Sequence, residues 1–126
     1  TTGRPRRCGW FDAVEAKYSV QINGFTEITI TKLDILDYFD NIKICTSYKY
    51  GNNKTDHMSK LISDLSDAQP IYKNFEGWNE PTSGIKCYKD LPRQTQKYIQ
   101  FISDFIHVPV KIISTGPCRD EIIQIN

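Results

Sequence analysis

The apolar positions change period several times along the chain, and each change marks a predicted element. Phe11, Val14 and Tyr18 stand at i, i+3 and i+7 and are followed by Asn23-Gly24, which predicts a helix from Trp10 to about Asn23. Glu27 to Thr31 is rich in isoleucine and threonine and reads as a short buried strand, running through Lys32-Leu33-Asp34 into a helical turn at Ile35 to Phe39. Asn41 to Tyr50 alternates, with Ile42, Ile44, Tyr48 and Tyr50 on one face and Lys43, Ser47 and Lys49 on the other, the period of a half-buried strand. Gly51-Asn52-Asn53 predicts a turn, and Asp56 to Asp67 shows only a weak helical stripe (Met58, Leu61, Ile62, Leu65). Pro70 to Phe75 reads as a strand and Gly77 to Gly84 as a loop.

The strongest helical signal runs from Pro92 to about Ile106. Proline is tolerated in a first turn, and Tyr98, Ile99, Ile102, Phe105 and Ile106 make one apolar face. Val108 to Ile113 is then a predicted strand, Ser114-Thr115-Gly116-Pro117 a turn, and Glu121 to Ile125 a last strand. Helix and strand signals are interspersed without an internal repeat or linker, which predicts one domain over residues 1–126, α/β or α+β.

Composition narrows the partners more than the fold. The 126 residues carry 16 basic and 15 acidic side chains, a net charge of +1, so no global basic face points to nucleic acid. No apolar run approaches the roughly 20 residues that span a bilayer, and no signal-peptide pattern opens the chain. These features predict no membrane partner and a cytoplasmic location. Cys8, Cys45, Cys87 and Cys118 form no CxxC pair, and only His57 and His107 accompany them, so no metal site is expected and the cysteines are read as free thiols. Neither histidine has a nucleophile partner in view, and no catalytic residue is assigned. The chain opens without an initiator methionine, in the manner of a loop interior, and reads as a piece of something longer.

Three loops carry the candidate chemistry. Thr1 to Arg7 holds two hydroxyls, a glycine and three arginines, the makings of an anion-binding loop, although a solvated terminus has the same composition. Thr31-Lys32-Leu33-Asp34 lies at the end of a predicted strand, where open α/β sheets gather ligands. An aspartate there can accept from both N1–H and the exocyclic amine of guanine, while a lysine stem covers the base. Adenine offers no N1–H. Taken alone, Asp34 reads as a helix N-cap. Ser114-Thr115-Gly116-Pro117 offers backbone amides and a hydroxyl to a base edge, and by itself is an ordinary Gly-Pro turn.

The order TTGRPRRCGWFD, INGFTEITITKLDILD, IKICTSYKY, PIYKNFEGW and DLPRQTQKYIQFISDFIHVPVKIISTGPCRD is similar to the C-terminal region of adenylosuccinate synthetases, from Thr1 to about Asp120 and most weakly across Gly51 to Ala68. The resemblance implies an α/β fold with a mixed or parallel sheet and flanking helices, a part of that family's fold. It also implies a GTP-dependent ligase that joins IMP and L-aspartate into adenylosuccinate with Mg²⁺, GTP being the co-substrate, in a protein that is homodimeric at full length. Carried over by motif, Thr1, Thr2, Gly3 and Arg4 belong to the loop over aspartate and IMP. Arg6, Lys32, Leu33, Asp34, Ser114, Thr115 and Gly116 belong to the GTP side, with Asp34 the guanine discriminator.

The family's Gly-rich phosphate loop, its general-base aspartate and its phosphate-contacting histidine have no counterpart in these residues. Mg²⁺ ligands are therefore expected outside them, and no synthetase activity is expected from the 126 residues alone. Two other readings stand beside this one: a non-catalytic guanine-nucleotide binder, and a structural or interaction domain without a nucleotide.

Overall fold

In the computed structural model, which describes residues 3–5, 7–61 and 65–125, the elements run β1 (Phe11–Asp12), α1 (Ala13–Asn23), β2 (Ile28–Ile30), a 3-10 turn (Leu33–Leu36), β3 (Asn41–Tyr50), β4 (Asn53–Thr55), β5 (Gln69–Glu76), α2 (Arg93–Ile106), β6 (Val110–Ser114) and β7 (Ile122–Gln124). The strands form two sheets. In the first, β3 pairs parallel with β1 and antiparallel with both β4 and β5. In the second, β6 lies between β2, which is parallel to it, and β7, which is antiparallel. The architecture is thus α/β with mixed sheets, and β1 and β2 each lie at a sheet edge.

The apolar stripe of α2 is what unites the sheets. Thr95, Tyr98, Ile99, Ile102 and Ile106 are buried at helical spacing, and the helix touches β5 of one sheet and β6 of the other. Its core partners include Ile42 and Ile44 of β3, Val110 and Ile113 of β6, and Ile123 of β7. Burying each such side chain contributes about 1.5–3 kcal/mol before the entropy of ordering is charged against it. The helix starts one residue later than its pattern predicts, with Pro92 at the cap rather than in the first turn, and ends at His107 in the left-handed region.

Two further boundaries and one alternation change for identifiable reasons. The first helix starts at Ala13, not Trp10, because Asp12 caps it: Oδ1 accepts from the backbone N–H of Val14 (3.0 Å) and of Glu15 (3.1 Å). Gly24, at φ 64°, ends it as predicted. The alternation predicted along β3 breaks at a bulge between Cys45 and Ser47, so Ser47 is buried rather than outward-facing. The predicted strand at Val108 begins only at Val110, because Ser103 Oγ donates to the Val108 carbonyl and holds that residue in the helix exit (2.9 Å).

All four cysteines are free, Cys45 buried and the others exposed. Burial, and after it the nearby Asp12 carboxylate, pushes the Cys45 thiol up from its usual range. Among the described residues no helix is long and apolar enough to cross a membrane.

Asp12 also accepts the Tyr48 hydroxyl at its second oxygen, tying the start of α1 to β3. Burial first and Asp12 second raise the Tyr48 pKa, which keeps the phenol a donor. Replacing Asp12 with alanine removes a cap worth about 1 kcal/mol and orphans a half-buried hydroxyl at about 1 kcal/mol more. A urea midpoint lowered by the equivalent of about 2 kcal/mol is expected, and Tyr48→Phe should lower it by less than half as much.

Candidate functional site

The parallel pairing of β2 with β6 decides where two of the predicted loops lie. Ile28 is opposite Val110, Thr29 opposite Ile112 and Ile30 opposite Ile113. The two strands therefore finish at the same end of the sheet, and their exits, Thr31–Asp34 and Ser114–Gly116, leave it next to each other. This is the carboxyl end, where open α/β sheets place ligands.

Beyond β2 the chain turns at Lys32, which takes the left-handed conformation at φ 57°, uncommon for a residue with a Cβ. Leu33 then drops into the core at 1% exposure and anchors the 3-10 turn, so what it can offer a ligand is its backbone. Lys32, not Asp34, occupies the N-cap position of that turn, and no side chain caps it. Asp34 Oδ1 is buried and accepts no hydrogen bond among the described residues. Buried carboxylate oxygens are almost always satisfied, so this one, on a half-buried side chain at a strand end, is open to a partner.

Across the gap, Ser114 Oγ donates to the Gly116 carbonyl (2.9 Å). Thr115 is fully buried and its N–H donates to the Glu121 carbonyl (2.9 Å). The Glu121 carboxylate lies directly against Gly116, where a Cβ would overlap it. It accepts from the Cys118 N–H (2.7 Å) and the Ser83 hydroxyl (3.1 Å). The Cys118 N–H, before any other influence, holds Glu121 below the usual carboxylate range. The Cys118 thiol, hydrogen-bonded to that carboxylate and beside its charge, is pushed up.

Three buried donors converge on Asp37, one turn after Asp34. The residue is 3% exposed. Its Oδ1 accepts from Trp78 Nε1 (2.9 Å) and the Thr82 hydroxyl (2.8 Å), and its Oδ2 from the Thr82 N–H (2.8 Å). Nothing in the sequence reading singled out Asp37, Trp78, Thr82 or Glu121. The available signal was a tryptophan within an otherwise polar loop, since a buried indole N–H needs an acceptor.

Of the first loop, Gly3 (φ 61°), Arg4 and Pro5 are exposed and form no regular element. Thr1, Thr2 and Arg6 lie outside the described residues. This loop leads through Cys8 and Gly9 to β1, where a cavity of about 340 Å³ lies between Trp10 and Phe11 on one side and Ile28, Ile30 and Leu33 on the other. Lys32 also lines it, but Asp34 and Ser114–Gly116 do not. Its walls are mainly apolar, which suits the packing of further chain between two open strand edges better than a charged nucleotide. The candidate base site is instead the pair of loops beyond β2 and β6.

The family model described as adenylosuccinate synthetase matches residues 1–123. An adenylosuccinate synthetase from Thermodesulfovibrio yellowstonii is 53% identical over 123 residues, 98% of this chain and 29% of that protein. One from Aquifex aeolicus is 46% identical over 123 residues, again 98% of this chain, and 28% of its own length. A solved structure described as fully ligated adenylosuccinate synthetase from Plasmodium falciparum superposes over 100% of this chain and 31% of its own, with a TM-score of 0.86 and 30% identity. This chain therefore spans less than a third of the length of these relatives. By the match along nearly its whole length, in sequence and in fold, the chain belongs to the adenylosuccinate synthetase family.

Proposed function

We propose that this chain supplies the guanine pocket and the aspartate loop for GTP-dependent ligation of IMP with L-aspartate, the step that forms adenylosuccinate on the way to AMP. The observation that carries the proposal is the buried, unpartnered Asp34 Oδ1 at the carboxyl end of β2, beside the Ser114–Gly116 loop. Guanine presents two adjacent donors, N1–H and the 2-amino group, and a carboxylate can take both. Adenine presents no donor at N1 and leaves the oxygen orphaned, at about 1–3 kcal/mol in a dry site.

Each predicted residue has a part in this reading. The aliphatic stem of Lys32 covers the base. The backbone of Leu33 and the amides of Ser114, Thr115 and Gly116 border it, with Ser114 Oγ free to exchange its short-range bond to Gly116 for one to the ligand. Thr1, Thr2, Gly3 and Arg4 receive the aspartate carboxylates, Arg4 also reaches IMP, and Arg6 reaches GTP, because guanidinium forks match carboxylate and phosphate oxygens.

Among the described residues no three His, Cys, Asp or Glu side chains come together to hold a metal. They do not fit Mg²⁺, and the ion is assigned to the part of the family's length that this chain does not span. The family's phosphate loop and its general base are assigned there too, as is the completion of a cytoplasmic homodimer.

Titration of the purified chain with GDP and ADP tests the pocket. Tighter binding of GDP by about tenfold or more is expected. Equal affinity for both would overturn the reading of Asp34. Incubation with IMP, aspartate, GTP and Mg²⁺ should yield no adenylosuccinate, and turnover would show that the chemistry does not depend on the missing groups.

A further inference from the structure

We infer that Asp37 is a positioning residue for guanine selectivity, holding the turn that bears Asp34 in fixed relation to the Ser114–Gly116 loop through a strut made of residues 78–83. The inference rests on the guanine reading above and adds to it the part of the chain that presets the pocket's width.

The strut is visible as a series of hydrogen bonds, joined through the peptide link from Thr82 to Ser83 and ending in a packing contact at Gly116. The Asp37 N–H donates to the Asp34 carbonyl (3.2 Å), so the two aspartates share one turn of backbone. The Asp37 carboxylate grips Trp78 and Thr82, both buried, by three bonds of 2.8–2.9 Å. Next to Thr82, the Ser83 hydroxyl donates to Glu121 (3.1 Å), whose carboxylate presses on Gly116 and fixes the Cys118 N–H. One short loop thereby reaches from the wall that carries Asp34 to the wall that carries Ser114.

A second tie holds the loop at its other end, where the Gly77 N–H donates to the Asp40 carbonyl (2.9 Å). A carboxylate is the side chain that can do this at position 37, since all three groups facing it are donors. An amide in its place must turn an NH₂ toward one of them. The two aspartates of Leu33-Asp34-Ile35-Leu36-Asp37 therefore divide the labour: Asp37 is saturated by its own protein, and Asp34 retains an oxygen for a ligand.

The test compares GDP and ADP affinities of the chain with those of Asp37→Asn and Trp78→Phe. The second variant removes one donor while keeping an aromatic ring, and it stands if the first fails to fold. Loss of most of the GDP preference, by fivefold or more, with ADP affinity within twofold of the parent chain, is the expected result. GDP and ADP weakening together, at an unchanged ratio, would show that Asp37 serves only the fold and would overturn the inference alone. A parent chain without any GDP preference would overturn the guanine reading and this inference with it.

Discussion

Gly77→Ala will cost this chain at least about 3 kcal/mol of stability, because the methyl group has nowhere to go. A Cβ at position 77 would overlap the Phe39 carbonyl oxygen and come within 2.8 Å of the Phe39 carbonyl carbon and 3.1 Å of the Asp40 carbonyl carbon. These are backbone atoms, so no rotamer change relieves the contact. Relief requires parting the ends of β3 and β5, where Asn41 is opposite Glu76, and breaking the bond from the Gly77 N–H to Asp40. Trp78 is the next residue, so the same movement pulls its indole away from Asp37. Gly24 supplies the contrast. It adopts φ 64° with open space where a Cβ would stand, so Gly24→Ala carries only the left-handed penalty of about 1 kcal/mol. Denaturant midpoints of the two variants measure the difference directly. A Gly77→Ala chain within 1 kcal/mol of the parent would mean that this close approach does not exist.

The features that were legible in the sequence were the ones written in local periodicity. The stripe Tyr98, Ile99, Ile102, Ile106 needs no partner to declare a helix, and the alternation at the two ends of β3, Ile42 with Ile44 and Tyr48 with Tyr50, is enough to fix its bounds. The bulge at Cys45–Ser47 was not legible, since it comes from how β5 pairs across β3 rather than from anything at those positions.

The site divides in the same way. Asp34, Lys32 and Ser114–Gly116 became candidates through ordered motifs, but their proximity depends on the parallel pairing of β2 and β6, strands far apart in the chain. Asp34 and Asp37 look alike in the sequence, each directly following a leucine in one short apolar run. What separates them is Trp78 and Thr82, more than 40 residues further on, which bury one carboxylate and leave the other with an orphan oxygen. A loop recognised only by its glycines and prolines thus contains the partners that distinguish the two.

If the proposed guanine pocket is right, Asp34→Asn should reverse its preference from guanine to xanthine. Guanine donates at N1–H and at the 2-amino group, and the carboxylate accepts at both. Asparagine keeps one acceptor but turns an amide NH₂ toward the 2-amino group, donor against donor. Xanthine retains N1–H and carries a carbonyl at C2, which accepts from that same NH₂. Each mismatch leaves a desolvated polar group unpaired at about 1–3 kcal/mol, so losing one match and gaining the other shifts the ratio of GDP to XDP affinity by on the order of 100-fold. Titration of the parent chain and the variant with both diphosphates reads that ratio, and ADP should remain weak throughout. If Asp34 served only its own turn, the swap would move neither affinity, since asparagine has the shape of aspartate and Asp34 makes no capping bond there. A ratio that inverts toward XDP, with the variant's unfolding midpoint near that of the parent, comes from the atoms that face the base, since a turn shifted from its place would weaken both diphosphates together.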